Sequence, residues 1–105
     1  MANEKRAAHR TLVERILRGP GETTTDQRAN AFANAAVDPA LDPLLGKVAT
    51  NPTRITDADF DPARAAGFTE DQLFELVIAS AVGESSRVYE AALAALDEAT
   101  AQTAD

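Results

Sequence analysis

Apolar positions along this chain recur at helical spacing, and glycine and proline cut them into short segments. From about Glu4 to Leu17, the residues Leu12, Val13, Ile16 and Leu17 lie on one stripe, and Gly19-Pro20-Gly21 stops the helix. Thr25 or Asp26 is placed to cap a second helix reaching about Ala36, with Ala29, Phe32, Ala33 and Ala36 on one face. Asp38-Pro39 and Asp42-Pro43 break the chain before a short apolar turn at Leu44, Leu45 and Val48. Asn51-Pro52 ends that element, because a residue before proline is pushed out of the α region.

Thr56-Asp57-Ala58-Asp59 reads as an N-cap followed by first-turn acids. The piece it opens is interrupted or restarted at Pro62 and ends at Gly67, a left-handed C-terminal position. Thr69-Glu70-Asp71-Gln72 is a capping box with Phe68 as its hydrophobic staple. The run that follows, residues 73–82, is apolar on nearly all sides, which predicts a central helix and an oligomer interface. Gly83 is expected to break it, and a last helix from about Ser85 to Ala101 carries Val88, Tyr89, Ala92, Leu93 and Leu96 on one face. No segment alternates with the period of a half-buried strand, and no heptad repeat or tandem motif is read. The expectation is one all-α domain over residues 1–105, built from five to six short helices, with only the last few residues disordered.

At 105 residues, 45% hydrophobic and 26% charged, the composition is that of an ordinary globular domain. Seventeen acids against ten Lys plus Arg give a net charge of -7, which argues against a nucleic-acid-coating role. The charge is uneven: residues 1–18 hold Lys5, Arg6, Arg10, Arg15 and Arg18 against only Glu4 and Glu14. A basic helix over 4–18 beside an acidic body predicts docking onto its own fold or onto another subunit, unless it is simply a solvated face. Zero cysteines exclude disulfides, thiolate metal sites and thiol mechanisms, and a single histidine excludes a histidine-rich metal site within one chain. No stretch approaches the roughly 20 apolar residues of a membrane span. The first residues lack the apolar region of a secretory signal, so a cytoplasmic location is expected.

The segment from Ala65-Ala66-Gly67-Phe68-Thr69-Glu70 through Glu75-Leu76-Val77 to Gly83, with Arg87–Leu96 after it, resembles the C-terminal helical hairpin of the AhpD-like, carboxymuconolactone decarboxylase superfamily. Ile16-Leu17-Arg18-Gly19-Pro20-Gly21, Pro43-Leu44-Leu45-Gly46-Lys47-Val48-Ala49 and Ile55-Thr56-Asp57-Ala58-Asp59 look like a small bacterial branch of it. The resemblance implies an AhpD-like hairpin core over 69–101 and a homo-oligomer. Peroxidatic members carry a Cys-x-x-Cys and a histidine upstream of the hairpin; alignment on Gly67-Phe68 puts Pro52, Ile55 and Asp59 near those places. Thiol peroxidase and disulfide-reductase chemistry is therefore excluded.

Glu75, set between Phe74 and Leu76, is the residue whose surroundings most suggest chemistry. Left unpaired it would be raised in pKa and fit for proton transfer; paired with Arg87 or another arginine it would be structural. Arg87 with Tyr89 suits a carboxylate ligand, or Tyr89 is a packed ring. His9 sits at the edge of an apolar stripe with no second ligand. Asp57, Asp59 and Asp61 lack the glycine and terminal glutamate of a calcium loop and read as caps. Gly19-Pro20-Gly21 is no phosphate loop, and Ser80, Ser85 and Ser86 lack a nucleophile-elbow setting. Two functional expectations follow. One is a non-enzymatic accessory subunit that binds a protein partner or small ligand, with Arg10, Arg15 and Arg18 as the contact. The other is a cofactor-free decarboxylase-like enzyme using Glu75, Arg87 and Tyr89. Neither requires a metal or cofactor.

Overall fold

The computed structural model describes residues 2–103, and among them every regular element is helical. Of the last few residues, expected to be disordered, 102–103 continue the final helix and 104–105 lie outside that range. The α-helices are α1 (Ala2–Arg18), α2 (Thr25–Phe32), α3 (Asp42–Thr50), α4 (Asp61–Ala65) and α5 (Glu70–Thr103). Single 3-10 turns at Pro39–Leu41, Pro52–Arg54 and Asp57–Phe60 link them.

Most boundaries follow local chemistry. The cap of α2 is Thr24, one residue before the expected pair; its hydroxyl accepts from the Gln27 amide while the Gln27 side chain accepts from the Thr24 amide. The same helix stops at Phe32, short of Ala36, because Asn34 turns left-handed (φ 57°) and the Ala35 amide reaches back to the Asn30 carbonyl. Pro62 restarts the chain as the opening turn of α4, and Gly67 ends that unit at φ 98°. Thr69 and Gln72 exchange the two capping hydrogen bonds at the start of α5.

The principal correction concerns Gly83. The hairpin expected over 69–101 is not formed: α5 runs unbroken for 34 residues through Gly83. Glycine costs about 1 kcal/mol in a helix interior relative to alanine, yet here it is buried under the C-terminus of α2, whose Phe32 backbone leaves no room for a Cβ. The polar residues after it do not make a turn. Ser85 donates to the Val82 carbonyl, and Ser86 is buried within the helix.

The core lies over the first half of α5. Leu73, Leu76 and Ala79 meet Ala31 of α2, Leu44 of α3, Leu41 and Ala63, all 2% exposed or less. Ile16, Phe60 and Phe68 close its sides. Beyond that core α5 projects with α1 running antiparallel beside it; Arg6 reaches Asp97 (3.6 Å) and the His9 ring lies on Tyr89. The long dimension is therefore 59 Å against 29 and 19 Å, and the radius of gyration is 16.3 Å. A compact chain of this size is expected near 13 Å.

Candidate functional site

Glu75 sits where α1 hands over to α2. Its carboxylate accepts from the Glu22 amide (2.6 Å), the Thr23 amide (3.0 Å) and the Thr23 hydroxyl (2.8 Å), tying the 19–24 loop to α5. Burial pushes the carboxyl up, but those three hydrogen bonds and the nearby Arg28 charge outweigh it, and the net shift is downward. Glu75 is thus held ionised as a hydrogen-bond acceptor, the opposite of a general acid poised near neutrality. Its hydrogen-bond partners are two loop amides and the Thr23 hydroxyl, with the Arg28 charge nearby; Arg87, named first in the pairing alternative, is not among them.

Arg28 is the neighbour that sequence reasoning missed. It is buried, and its guanidinium donates to the Ile16 (3.0 Å) and Gly19 (2.7 Å) carbonyls at the C-terminus of α1. A cation there satisfies orphan carbonyls and complements the helix dipole. An arginine on the otherwise small, apolar side of α2 was the available signal.

Arg87 donates to Glu84 (2.6 Å) and to the Phe32 carbonyl (2.8 Å). Tyr89 stacks on His9 with ring centroids 4.5 Å apart, as the packed-ring alternative expected. Arg87 lies twelve residues after Glu75 on one helix, roughly 18 Å along its axis. The three residues of the enzyme reading therefore do not converge. Glu75 borders a hollow with Arg15, Pro20 and Phe74, whereas Arg87 and Tyr89 line a separate cleft with Arg6, His9 and Arg10.

The arginines assigned to partner contact face different neighbours. Arg10 and Arg15 point about 140° apart around α1 at 100° per residue, with Arg18 between them, and all three are exposed. Arg10 borders the cleft, Arg15 the hollow beside Glu75, and Arg18 pairs with Glu14 at 3.7 Å. Asp59 is a cap, as expected: it takes the Thr56 amide (2.8 Å) and binds Lys47 with both oxygens at 2.9 Å. Its carboxyl is held below the usual range by the Lys47 hydrogen bonds first and the Thr56 amide second. Among the described residues no group of three His, Cys, Asp or Glu side chains is placed to hold a metal. No helix is long and apolar enough to cross a membrane.

An extended surface feature lies on α5, on the side turned away from the core. Phe74, Ala81, Val88 and Ala95 repeat every seven residues, and Ile78, Ser85, Ala92 and Ala99 fall between them at the matching heptad offset. Sequence reading found no heptad, because alanines outnumber large apolar residues and Gly83 appeared to interrupt the helix. Phe74 and Val88 are 68% and 69% exposed, and the flanking Leu96 is 60% exposed. None of these eight positions carries a charge, in a chain of net charge -7. No family model, curated protein or solved structure matches the chain.

Proposed function

We propose that this protein is a non-enzymatic assembly subunit whose first partner is a second copy of itself, joined through the heptad face of α5. The observation that carries the reading is that face: uncharged over about 38 Å of helix at 1.5 Å per residue, apolar except at Ser85, and exposed at every position except the half-buried Ile78. A strip of this extent is about the size of the largest apolar patch on an ordinary monomer, and such patches are often functional.

The distribution of sizes along the strip favours an antiparallel pair. Large residues stand near its start (Phe74, Ile78) and small ones near its end (Ala92, Ala95, Ala99). Two helices crossing antiparallel between Ser85 and Val88 set Ile78 opposite Ala95, Phe74 opposite Ala99 and Ala81 opposite Ala92. Phe74 and Ile78 then meet small residues at the two ends, the Ala81–Ala92 pairs let the helices approach closely, and the contact is the same patch on both copies. The positions beside the seam bring Val77 against Glu98 and Glu84 against Ala91, so no like charges meet. A strip about 38 Å long and about 12 Å wide on each copy buries on the order of 900 Å² in total, below the roughly 1,200–2,000 Å² of stable specific interfaces and in the range of weak, reversible pairing.

The test is the mass in solution of the whole chain and of Ala81→Glu, with helicity checked by circular dichroism. The dimer reading expects the variant to fall to the single-chain mass with its helicity intact. A wild-type chain that is already single, or a variant of unchanged mass, contradicts it.

A further inference from the structure

The cleft between α1 and the projecting half of α5 has a different chemistry from the seam. It encloses about 360 Å³, at the lower end of small-molecule sites. Val13, Phe32 and Leu93 supply apolar wall, and Arg6, Arg10 and Arg87 bring three guanidinium groups to it. Glu90 is the one acid lining it, although Asp97 takes part of the Arg6 charge (3.6 Å) and Glu84 part of the Arg87 charge. Among the lining residues themselves three guanidinium groups face one carboxylate, and Arg10 is the one of the three with no ion pair among the described residues, so the wall of the hollow favours an anion in a chain of net charge -7.

Polar groups in the same cleft stand without a protein partner. Ser86 is only 4% exposed, and its hydroxyl makes no hydrogen bond to any of the described residues. The Arg6 Nε and the His9 Nε2 are buried and equally unmatched. Buried polar atoms of this kind are ordinarily hydrogen-bonded, and leaving one unmatched costs about 1–3 kcal/mol. Three of the four such side-chain atoms among the described residues line this one cleft. The Tyr89 ring, held against His9, gives a flat apolar surface beside them.

We infer that this cleft binds a small organic oxyanion, a carboxylate or a phosphate monoester on a compact apolar body. The arginines and the unmatched donors take the headgroup, and Val13, Phe32 and Leu93 take the body. Planar guanidinium groups match the oxygens of either headgroup. The inference stands apart from self-assembly, since the cleft and the seam use different faces of α5.

Tyr89 is the only tyrosine and there is no tryptophan, so tyrosine emission reports directly on the cleft. The full chain is titrated with cyclohexanecarboxylate, with cyclohexyl phosphate and with the neutral cyclohexylmethanol, none of which absorbs at the exciting wavelength. A saturable change with either anion, at least tenfold tighter than with the alcohol, is expected; the tighter of the two identifies the headgroup. Arg10→Glu, at an exposed position, should weaken that binding at least tenfold while leaving helicity unchanged. Ser86→Ala should weaken it less, and it serves as the second variant if the first is misfolded. Absence of a saturable change with either anion, equal binding of the alcohol, or indifference of both folded variants overturns the inference. Ala81→Glu, titrated in parallel, separates the two claims: binding retained in a single-chain species leaves the cleft intact whatever becomes of the dimer.

Discussion

The carbonyl of Phe32, the last residue of α2, lies against Gly83 in the middle of α5 and accepts a hydrogen bond from Arg87 one turn further on at 2.8 Å. The residue whose type suggests a break is thus the point of closest approach between two helices.

A Gly83→Ala substitution sets two effects against each other. Alanine gains about 1 kcal/mol in helix propensity. Its Cβ would overlap the Phe32 backbone, which has no flexible end to move aside, and such overpacking costs typically 1–3 kcal/mol. The net expectation is a loss of about 1 kcal/mol, seen as a Tm lowered by roughly 4–8 °C. An increase in Tm would show that α2 does not press on α5 at this point.

Glu75 should behave as a structural acceptor. Replacing it by alanine strands the Glu22 and Thr23 amides and should cost about 1–2 kcal/mol in urea denaturation, allowing for partial solvent access. Its carboxyl is held lower in the fold than in the unfolded chain, so its contribution is fully present above the unfolded value. That contribution fades as pH falls through the folded value. The stability gap between the wild type and Glu75→Gln should therefore be constant from neutral pH down to the usual glutamate range and close below it. A gap that widens on acidification would contradict the assignment.

Asp59 and Lys47 join α3 to the turn before α4, and the sign of their pH dependence is the same. The Lys47 contacts and the Thr56 amide lower the Asp59 carboxyl, so the tie is present above the ordinary aspartate range and lost in acid. Asp59→Asn and Lys47→Met should each lower Tm by several degrees at neutral pH, and the double variant should lose less than their sum. Additivity would mean that the two side chains act independently.

What the sequence made legible was local. Gly67, Pro62, the Thr69–Gln72 box and the Asn51-Pro52 stop each act through their immediate neighbours, and each sits in the structure where its chemistry required. What escaped was set by residues far apart in the chain. Gly83 reads as a breaker until Phe32 is placed over it. Arg28 reads as surface until the α1 carbonyls reach it. Tyr89 and His9 are eighty positions apart, and nothing local announces their contact. The α5 seam was hidden for a related reason, since it is recognisable only once the helix is known to continue through Gly83.

The absence of native cysteine makes the orientation of the proposed dimer directly testable. A disulfide needs Cα atoms within about 7 Å. In the antiparallel pair Ser85 lies near its own copy at the crossing, whereas the two Ala95 positions are roughly 25 Å apart along the axis at 1.5 Å per residue. Ser85→Cys should cross-link on oxidation and Ala95→Cys should not. Efficient linking of both would show a parallel pair.

The most direct measurement is sedimentation equilibrium of the unmodified chain beside Val88→Glu, at about 100 µM and thus well above a micromolar dissociation constant. The account predicts twice the 11.1 kDa chain mass for the first and the single-chain mass for the second. A wild-type chain that sediments as one copy at that concentration, or a Val88→Glu variant that remains paired, would contradict the claim that the exposed face of α5 is where this protein assembles.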